Sequence, residues 1–386
     1  MRAHVSPNRT GPTKPRVLFT ALYSASQAGT RLRAEAWCDA LRARDLTPEV
    51  WSFFAPGDSE RWFECRRRRV RALLLLKAVL RTVRLYVVLP RYDVVVVLRE
   101  VAPVGSTALE RRIAARSMLV WDVDDAIWTP YPRMFLSRLP ARLRRSEHKY
   151  VRIAELASDI WAGSDEIAHW CRQHTRAGVW VLPTVPELPP VPPALGTRHG
   201  AVWVGSSSTG GFLGNALAHL DDSNVSGLAV TAVGADVPST GRTRVTSVRW
   251  SESAEDEALR SARVGLYPLD LDHPLAAARA GFKAVLYMAY GLPSIVTPVP
   301  AVERLVRHGV EGLHATTPEE WQDAVRLLLD DDETWSRMSK AARARSERDY
   351  CTRVWAPRVA DRVVNLLAGP APLAPARGGG RPSQAN

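Results

Sequence analysis

Short apolar runs alternate with amphipathic stretches along most of this chain, beginning at Arg16. "RVLFTAL" predicts a first strand, "RLRAEAWCDALRAR" a helix after it, and "YDVVVVLRE" a strand apolar on both faces. "SMLVWDVDD", "SDIWAGS" and "VWVLPT" predict three more strands. Continuous apolar strands spaced by helical segments belong to parallel sheets covered on both sides, an α/β pattern. The stretch "PTVPELPPVPPALGTRHG", residues 183–200, then breaks the periodicity with six prolines and reads as a linker. The alternation restarts with "AVWVGS" as strand, "GFLGNALAHL" as helix, "GLAVTAVG" as strand, "EDEALRSA" as helix and "RVGLYPL" as strand. "PSIVTP" and "GLHAT" follow as short strands before a helical C-terminal third. Two similar α/β halves on a proline-rich hinge predict a ligand in the cleft between them. The boundaries expected are a disordered lead at 1–15, a first domain at 16–182 and the linker at 183–200. They continue with a second domain at 201–353, a C-terminal helix at 354–367 that could cross back to the first domain, and a disordered tail at 368–386.

A length of 386 residues with 46% hydrophobic content suits two domains of ordinary size. The net charge of +12 is uneven: residues 1–182 hold 31 Lys and Arg against 18 Asp and Glu, and the remainder 21 against 22. No nucleic-acid-binding signature accompanies that charge, so no nucleic-acid partner is expected. Arg outnumbers Lys 47 to 5, which fits a GC-rich bacterial genome and lowers the weight of any one surface arginine. Cys38, Cys65, Cys171 and Cys351 have neither zinc nor disulfide spacing, and the N-terminus lacks an apolar leader, so a reducing cytoplasm is expected.

The segment "RRRRVRALLLLKAVLRTVRLYVVL", Arg66 to Leu89, holds eight basic residues and no acidic one. Its uncharged runs are too short to cross a bilayer. It is either a domain helix with core leucines and solvated arginines or an interfacial helix resting on anionic lipid at the inner face of the membrane.

The candidate chemistry is gathered around anions. In "ARAGFKAVLYMAYGLPSIVTP" a helix ends at Gly291 and Pro293, and Arg279, Gly281 and Lys283 stand where it begins. A helix start offers unpaired N–H groups and the positive end of its dipole, so an anion is expected there. In "VWVGSSSTGG", Gly205, Ser206, Ser207 and Ser208 form a small-residue turn after a strand, where backbone amides can approach an anion. Asp270 and Asp272 follow the strand in "VGLYPLDLDHPL" and either meet sugar hydroxyls or cap a loop. Arg99 and Glu100 end another strand, the position where open α/β sheets meet ligand, and Glu100 is the candidate ligand-facing carboxylate there.

In order along the chain, "DVDDAIW", "ASDIWAGSDEIA", "VWVGSSST", "VTAVG", "RWSESAEDEALRSARVGLYPL", "FKAVLYMAYGLPSIVTPVP" and "VRHGVEGLHATTPEEWQDAVRLLLDD" resemble a GT-B glycosyltransferase, most like the retaining glycosyltransferase family 4 group. The resemblance runs from about Val17 to Tyr350 and is more specific in its second half. It implies two Rossmann-like domains, a nucleoside diphosphate sugar donor (UDP-sugar favoured) as co-substrate, no metal or other cofactor, and retention of anomeric configuration. On this reading Arg279 and Lys283 neutralise the departing diphosphate. Gly205 to Ser208, Gly234, Asp270, Gly281 and Tyr287 then hold the donor. Many members carry two glutamates eight positions apart where this chain has Arg279 and Tyr287, a departure shared by a subgroup with basic and aromatic residues there. In the first half the resemblance turns "SASQAGTRLRAE" toward the cleft, so that Arg31 and Arg33, with Arg99, Asp124, Asp125 and Trp128, are the acceptor-side candidates. A "DVD" after a strand is also how a metal-dependent GT-A enzyme holds a divalent cation, but that one-sheet fold leaves the second half unexplained. Acceptors that suit the basic half are a lipid-linked phosphate sugar, a phosphoglycolipid or a natural-product aglycone, in cell-envelope glycan or antibiotic biosynthesis. A nucleotide-sugar-binding partner protein without catalysis and a GT-B-fold epimerase are the other classes left open.

Overall fold

The structure, a computed structural model, describes residues 14–65, 67–129, 146–190, 198–207, 209–221, 228–241, 243–272, 276 and 280–369. Two parallel sheets carry the chain. The first is built from β1 (Arg16–Ala21), β2 (Thr47–Ser52), β3 (Val94–Leu98), β4 (Met118–Val123), β5 (Asp159–Ala162) and β6 (Gly178–Val181), in the spatial order β2-β1-β3-β4-β5-β6. The second has β7 (His199–Val204), β8 (Ala229–Val233), β9 (Arg244–Val248), β10 (Ala262–Tyr267), β11 (Ser294–Val296) and β12 (Gly312–His314), in the order β12-β11-β10-β7-β8-β9. β3 is buried throughout because helices cover both faces of its sheet, which is why Val94 to Leu98 can be uninterrupted Val and Leu.

The order of each sheet reverses at one point, between β1 and β3 in the first and between β7 and β10 in the second. Beyond the carboxyl ends of such strand pairs the connecting loops part in opposite directions and leave a crevice. The residues after β1, β3, β7 and β10 are therefore the ones the topology itself marks for ligand.

Two strands depart from the expected pattern. β2 and β9 are edge strands, and neither reads as apolar: β2 includes Pro48, and β9 is the polar "RVTSV". An edge strand pairs on one side only, so it tolerates both proline and polarity. The single helix expected over 31–44 is broken into Ala28–Arg33, a short 3-10 turn at Glu35–Trp37 and Cys38–Arg42. The break at Ala34 adjoins Arg33, whose guanidinium is drawn inward to Asp122 Oδ1, the Leu182 carbonyl and Thr184 Oγ1.

The C-terminal helix, Thr352–Ala368, packs on the first half against Glu35–Arg42. Arg362 donates to both oxygens of the buried Asp159 at 2.6 and 3.0 Å, and Arg44 pairs with Asp361 at 2.8 Å. The two halves also meet through Arg31–Glu252, Arg304–Asp165 and Arg249–Glu64. All four cysteines are free, and burial pushes the Cys38 thiol up to about 11 and Cys171 to about 12, which leaves both unreactive. Among the described residues no helix is long and apolar enough to cross a membrane.

Candidate active site

Of the donor-side candidates, Gly205, Gly234, Gly281 and Lys283 come together near the carboxyl ends of β7 and β10. Gly281 takes the left-handed conformation, φ +72°, and caps the helix Phe282–Ala289, whose first turn has no acidic residue to offset the dipole. That places Lys283 in the first turn, with its Nζ 4.3 Å from the Trp203 ring centroid and 5.6 Å from that of Tyr267. The ammonium is thus held between two aromatic walls by cation–π attraction. Gly205 is what lets it approach: a Cβ there would stand 3.0 Å from Lys283 Nζ and 2.3 Å from the Trp203 ring. Gly234, at φ +92°, lies so close to the Gly205 carbonyl that a Cβ would come within 2.2 Å of it. Ser206 and Ser207 are exposed, and the Ser206 carbonyl accepts from Thr209 and Gly210 as the next helix starts. Arg279 and Ser208 lie outside the described residues.

Of the acceptor-side candidates, Arg33, Arg99 and Asp124 line a cavity of about 260 Å³ beyond β1, β3 and β4, walled also by Tyr23, Gln27, Gly29 and Thr30, with Arg33 and Asp122 beneath. Arg99 sits at φ +62°, a strained conformation for a residue with a side chain. Its backbone N–H donates to the Asp122 carbonyl at 2.7 Å, and its guanidinium holds both Asp124 oxygens at 2.6 and 2.9 Å. Gly163 closes the distance between the halves, since a Cβ there would lie 2.8 Å from Asp124 Cα and 3.3 Å from Ala280 Cβ. Asp124 therefore lies beside the entry to the helix that carries Lys283.

The two aspartates titrate in opposite directions. Burial pushes Asp122 up to about 6, with Arg33 offsetting only part of the cost. Burial acts on Asp124 in the same sense and is the largest single influence, but the Arg99 charge and hydrogen bonds, with the Arg33 charge and a backbone hydrogen bond, together outweigh it and hold that carboxyl at about 2. Each carboxylate is bound to an arginine rather than gathered with other carboxylates, and among the described residues no group of three or more His, Cys, Asp or Glu is placed to hold a metal. A raised carboxyl has a definite consequence for stability. Between its unfolded value of 3.8 and about 6, native Asp122 keeps a proton that the unfolded chain has released. Its contribution to stability therefore rises as pH falls from 7 through 6, whereas that of Asp124 is lost only below 3.8. Wild type is expected to gain about 2 kcal/mol on Asp122→Asn between neutral pH and about pH 4.5. Calorimetric melting of both proteins across that range checks it, and a difference independent of pH would contradict it.

Several expected site residues are corrected by their surroundings. Glu100 is buried and bound at 2.7 Å by Lys149 Nζ, so its carboxylate is a core ion pair and does not face an acceptor. Tyr287 is fully buried, its hydroxyl donating to the Leu266 carbonyl and accepting from the Val204 N–H; it ties β7 to β10 and does not touch a donor. Arg33 is likewise buried under the cavity and committed to Asp122. Trp128 stacks at 3.8 Å on Trp170, so one face is already covered. Arg31 lies over the Trp250 ring and 3.5 Å from Glu252, bridging the halves. Asp270 lines a separate cavity of about 290 Å³ with Asp272, Asn215 and His219. Asp125 stays near its own loop, where its Oδ1 accepts from the Ala126 N–H. Trp203 and Tyr23 were not singled out by residue type; position beside the Gly205 turn and after β1 was the only signal for them.

Residues 212–331 match the family model described as glycosyl transferases group 1. Among solved structures, sucrose-phosphate synthase from Thermosynechococcus elongatus superposes with a TM-score of 0.65 at 15% identity, over 92% of this chain and 99% of that one. The Anabaena protein HepE, in complex with UDP and glucose, gives 0.59 at 15% identity over 91% and 99%. A glycosyltransferase from Rickettsia africae gives 0.60 at 12% identity over 92% and 100%. The fold is that of a GT-B glycosyltransferase. In the GT-B arrangement the two switch-point crevices face one another, which is why Asp124 lies near Ala280, at the entry to the helix that carries Lys283. No match is found among the curated proteins.

Proposed function

We propose that the chain transfers a sugar from a nucleoside diphosphate sugar, UDP-sugar favoured, to a hydroxyl acceptor held by its N-terminal half, with retention and without a metal ion. The observation that carries this reading is the Lys283 ammonium set against the Gly205 turn at the start of a helix. In the transfer the acceptor oxygen bonds to the anomeric carbon while the bond from that carbon to the β-phosphate oxygen breaks. The departing diphosphate takes the hydroxyl proton. Negative charge collects on that diphosphate, and a fixed ammonium, a helix N-terminus and backbone amides are the groups that stabilise it. Arg279, two positions before Gly281, adds a second cation by sequence. Preference for UDP draws on HepE, and retention draws on the family 4 resemblance. The Arg99–Asp124 pair then positions the acceptor, a lipid-linked or natural-product hydroxyl compound, and the donor places the chemistry in the cytoplasm.

A thermal-shift series with UDP-, GDP-, dTDP- and ADP-sugars, each with and without EDTA, tests this. A ligand that binds only the folded state raises the melting temperature by mass action. A rise with UDP-sugar that survives EDTA is expected. No rise with any nucleotide sugar overturns donor binding, and a rise abolished by EDTA overturns metal independence.

A further inference from the structure

The helix Arg68–Val88 carries apolar side chains on two opposite sides. Its inner stripe, Leu74, Ala78 and Leu85, is buried against the first half. At 3.6 residues per turn, Leu73, Leu76, Val79, Leu80, Val83 and Val87 fall on the opposite side. They are 50 to 69% exposed. A surface helix ordinarily turns polar residues outward, and an apolar face of this extent marks a contact with something else.

Charge says what that something is. Nine Lys and Arg lie between Arg66 and Arg91, with no Asp or Glu among them. Arg67, Arg68, Arg69 and Arg84 are exposed, and among the described residues of the helix Lys77 alone forms an ion pair, with Asp58 at 3.9 Å. We infer that this face lies in the headgroup region of an anionic bilayer, with apolar side chains toward the acyl boundary and the basic side chains reaching the lipid phosphates. A second copy is the poorer occupant, because a symmetric contact brings the same cations face to face.

The docked surface adjoins the acceptor-side cavity. Phe63, 51% exposed and just before the helix, has its ring centroid 4.9 Å from that of Tyr23, which lines the cavity with Arg99 and Asp124. An acceptor carried by the membrane would enter there, a step that rests on the glycosyl-transfer reading, whereas docking does not.

Co-sedimentation of the full chain with vesicles, in the absence of any donor, tests docking by itself. Phosphatidylcholine vesicles with about one-third phosphatidylglycerol should bind the protein, pure phosphatidylcholine should not, and about 1 M salt should release it. The combined Leu76→Ser, Leu80→Ser and Val83→Ser variant should lose at least about tenfold in partitioning while melting as wild type does. Because its residues touch no core, the combined Arg68→Gln, Arg69→Gln and Arg84→Gln variant should lose the preference for anionic lipid without loss of fold. Equal binding to both vesicle types, or wild-type binding by the serine variant, overturns the inference. So does a wild-type dimer that the serine variant dissociates while neither binds vesicles, which would make a second copy the occupant.

Discussion

Lys283→Ala should lower kcat/KM for the nucleotide-sugar donor by at least about a hundredfold and abolish the thermal shift that the donor produces. Removing one preorganised donor from a site of developing negative charge costs about 10²–10³ in rate, and here the group is a full cation. Its setting strengthens the effect. The ammonium lies between Trp203 and Tyr267, whose rings exclude water on two sides, and electrostatic attraction grows as the local dielectric falls. Gly205 leaves the room this arrangement needs, since a Cβ there would lie 2.3 Å from the Trp203 ring and 3.0 Å from Lys283 Nζ. Lys283→Arg tests geometry apart from charge: a guanidinium is planar and larger than an ammonium, so the charge returns without the position, and only partial recovery is expected. Steady-state kinetics with the donor varied, alongside the melting temperature of each variant without ligand, separate lost chemistry from lost fold. Activity within about threefold of wild type for Lys283→Ala would remove the diphosphate role from this residue.

The parallel-sheet halves were legible because buried strands such as Val94–Leu98 need uninterrupted apolar runs and helices between them. The edges were not, because a strand paired on one side has no such need, as Pro48 in β2 and the polar β9 illustrate. The helix start at Gly281 and Lys283 was legible for a related reason: a glycine and a lysine at a helix start are local features, visible within a few residues of one another. The surroundings of the candidate acceptor residues depended on partners far apart in sequence. Glu100 stands at a strand end, where a ligand-facing carboxylate is a fair expectation, yet Lys149 is 49 positions away and claims it. Arg33 reaches Asp122 across 89 positions, and no periodicity signals that. Tyr287 failed differently. It occupies the interior face of an eight-residue helix, and its hydroxyl completes the hydrogen bonding of two strands, a core role invisible from its place in a motif.

Lys149→Met should destabilise the fold by about 3–5 kcal/mol, the cost of leaving one partner of a buried ion pair uncompensated. Three acceptors lose their donor together: Glu100 Oε2 at 2.7 Å and the carbonyls of Ala102 and Val104 at 2.9 and 2.5 Å. Glu110, whose carboxyl accepts the Val101 N–H and is already raised by burial, loses its neighbouring cation as well. Removing both charges is a different experiment. The Lys149→Met, Glu100→Met double variant deletes the unpaired carboxylate, so it should be more stable than Lys149→Met alone, and urea unfolding of the four proteins of that cycle gives the coupling directly. A loss under about 1 kcal/mol for the single variant would mean that water reaches the pair. The segment that Lys149 fastens begins directly after Arg99, whose strained backbone and grip on Asp124 shape the cavity beyond β1, β3 and β4. The double variant should therefore recover stability more fully than activity, because it restores charge balance without restoring the three hydrogen bonds that fix that loop.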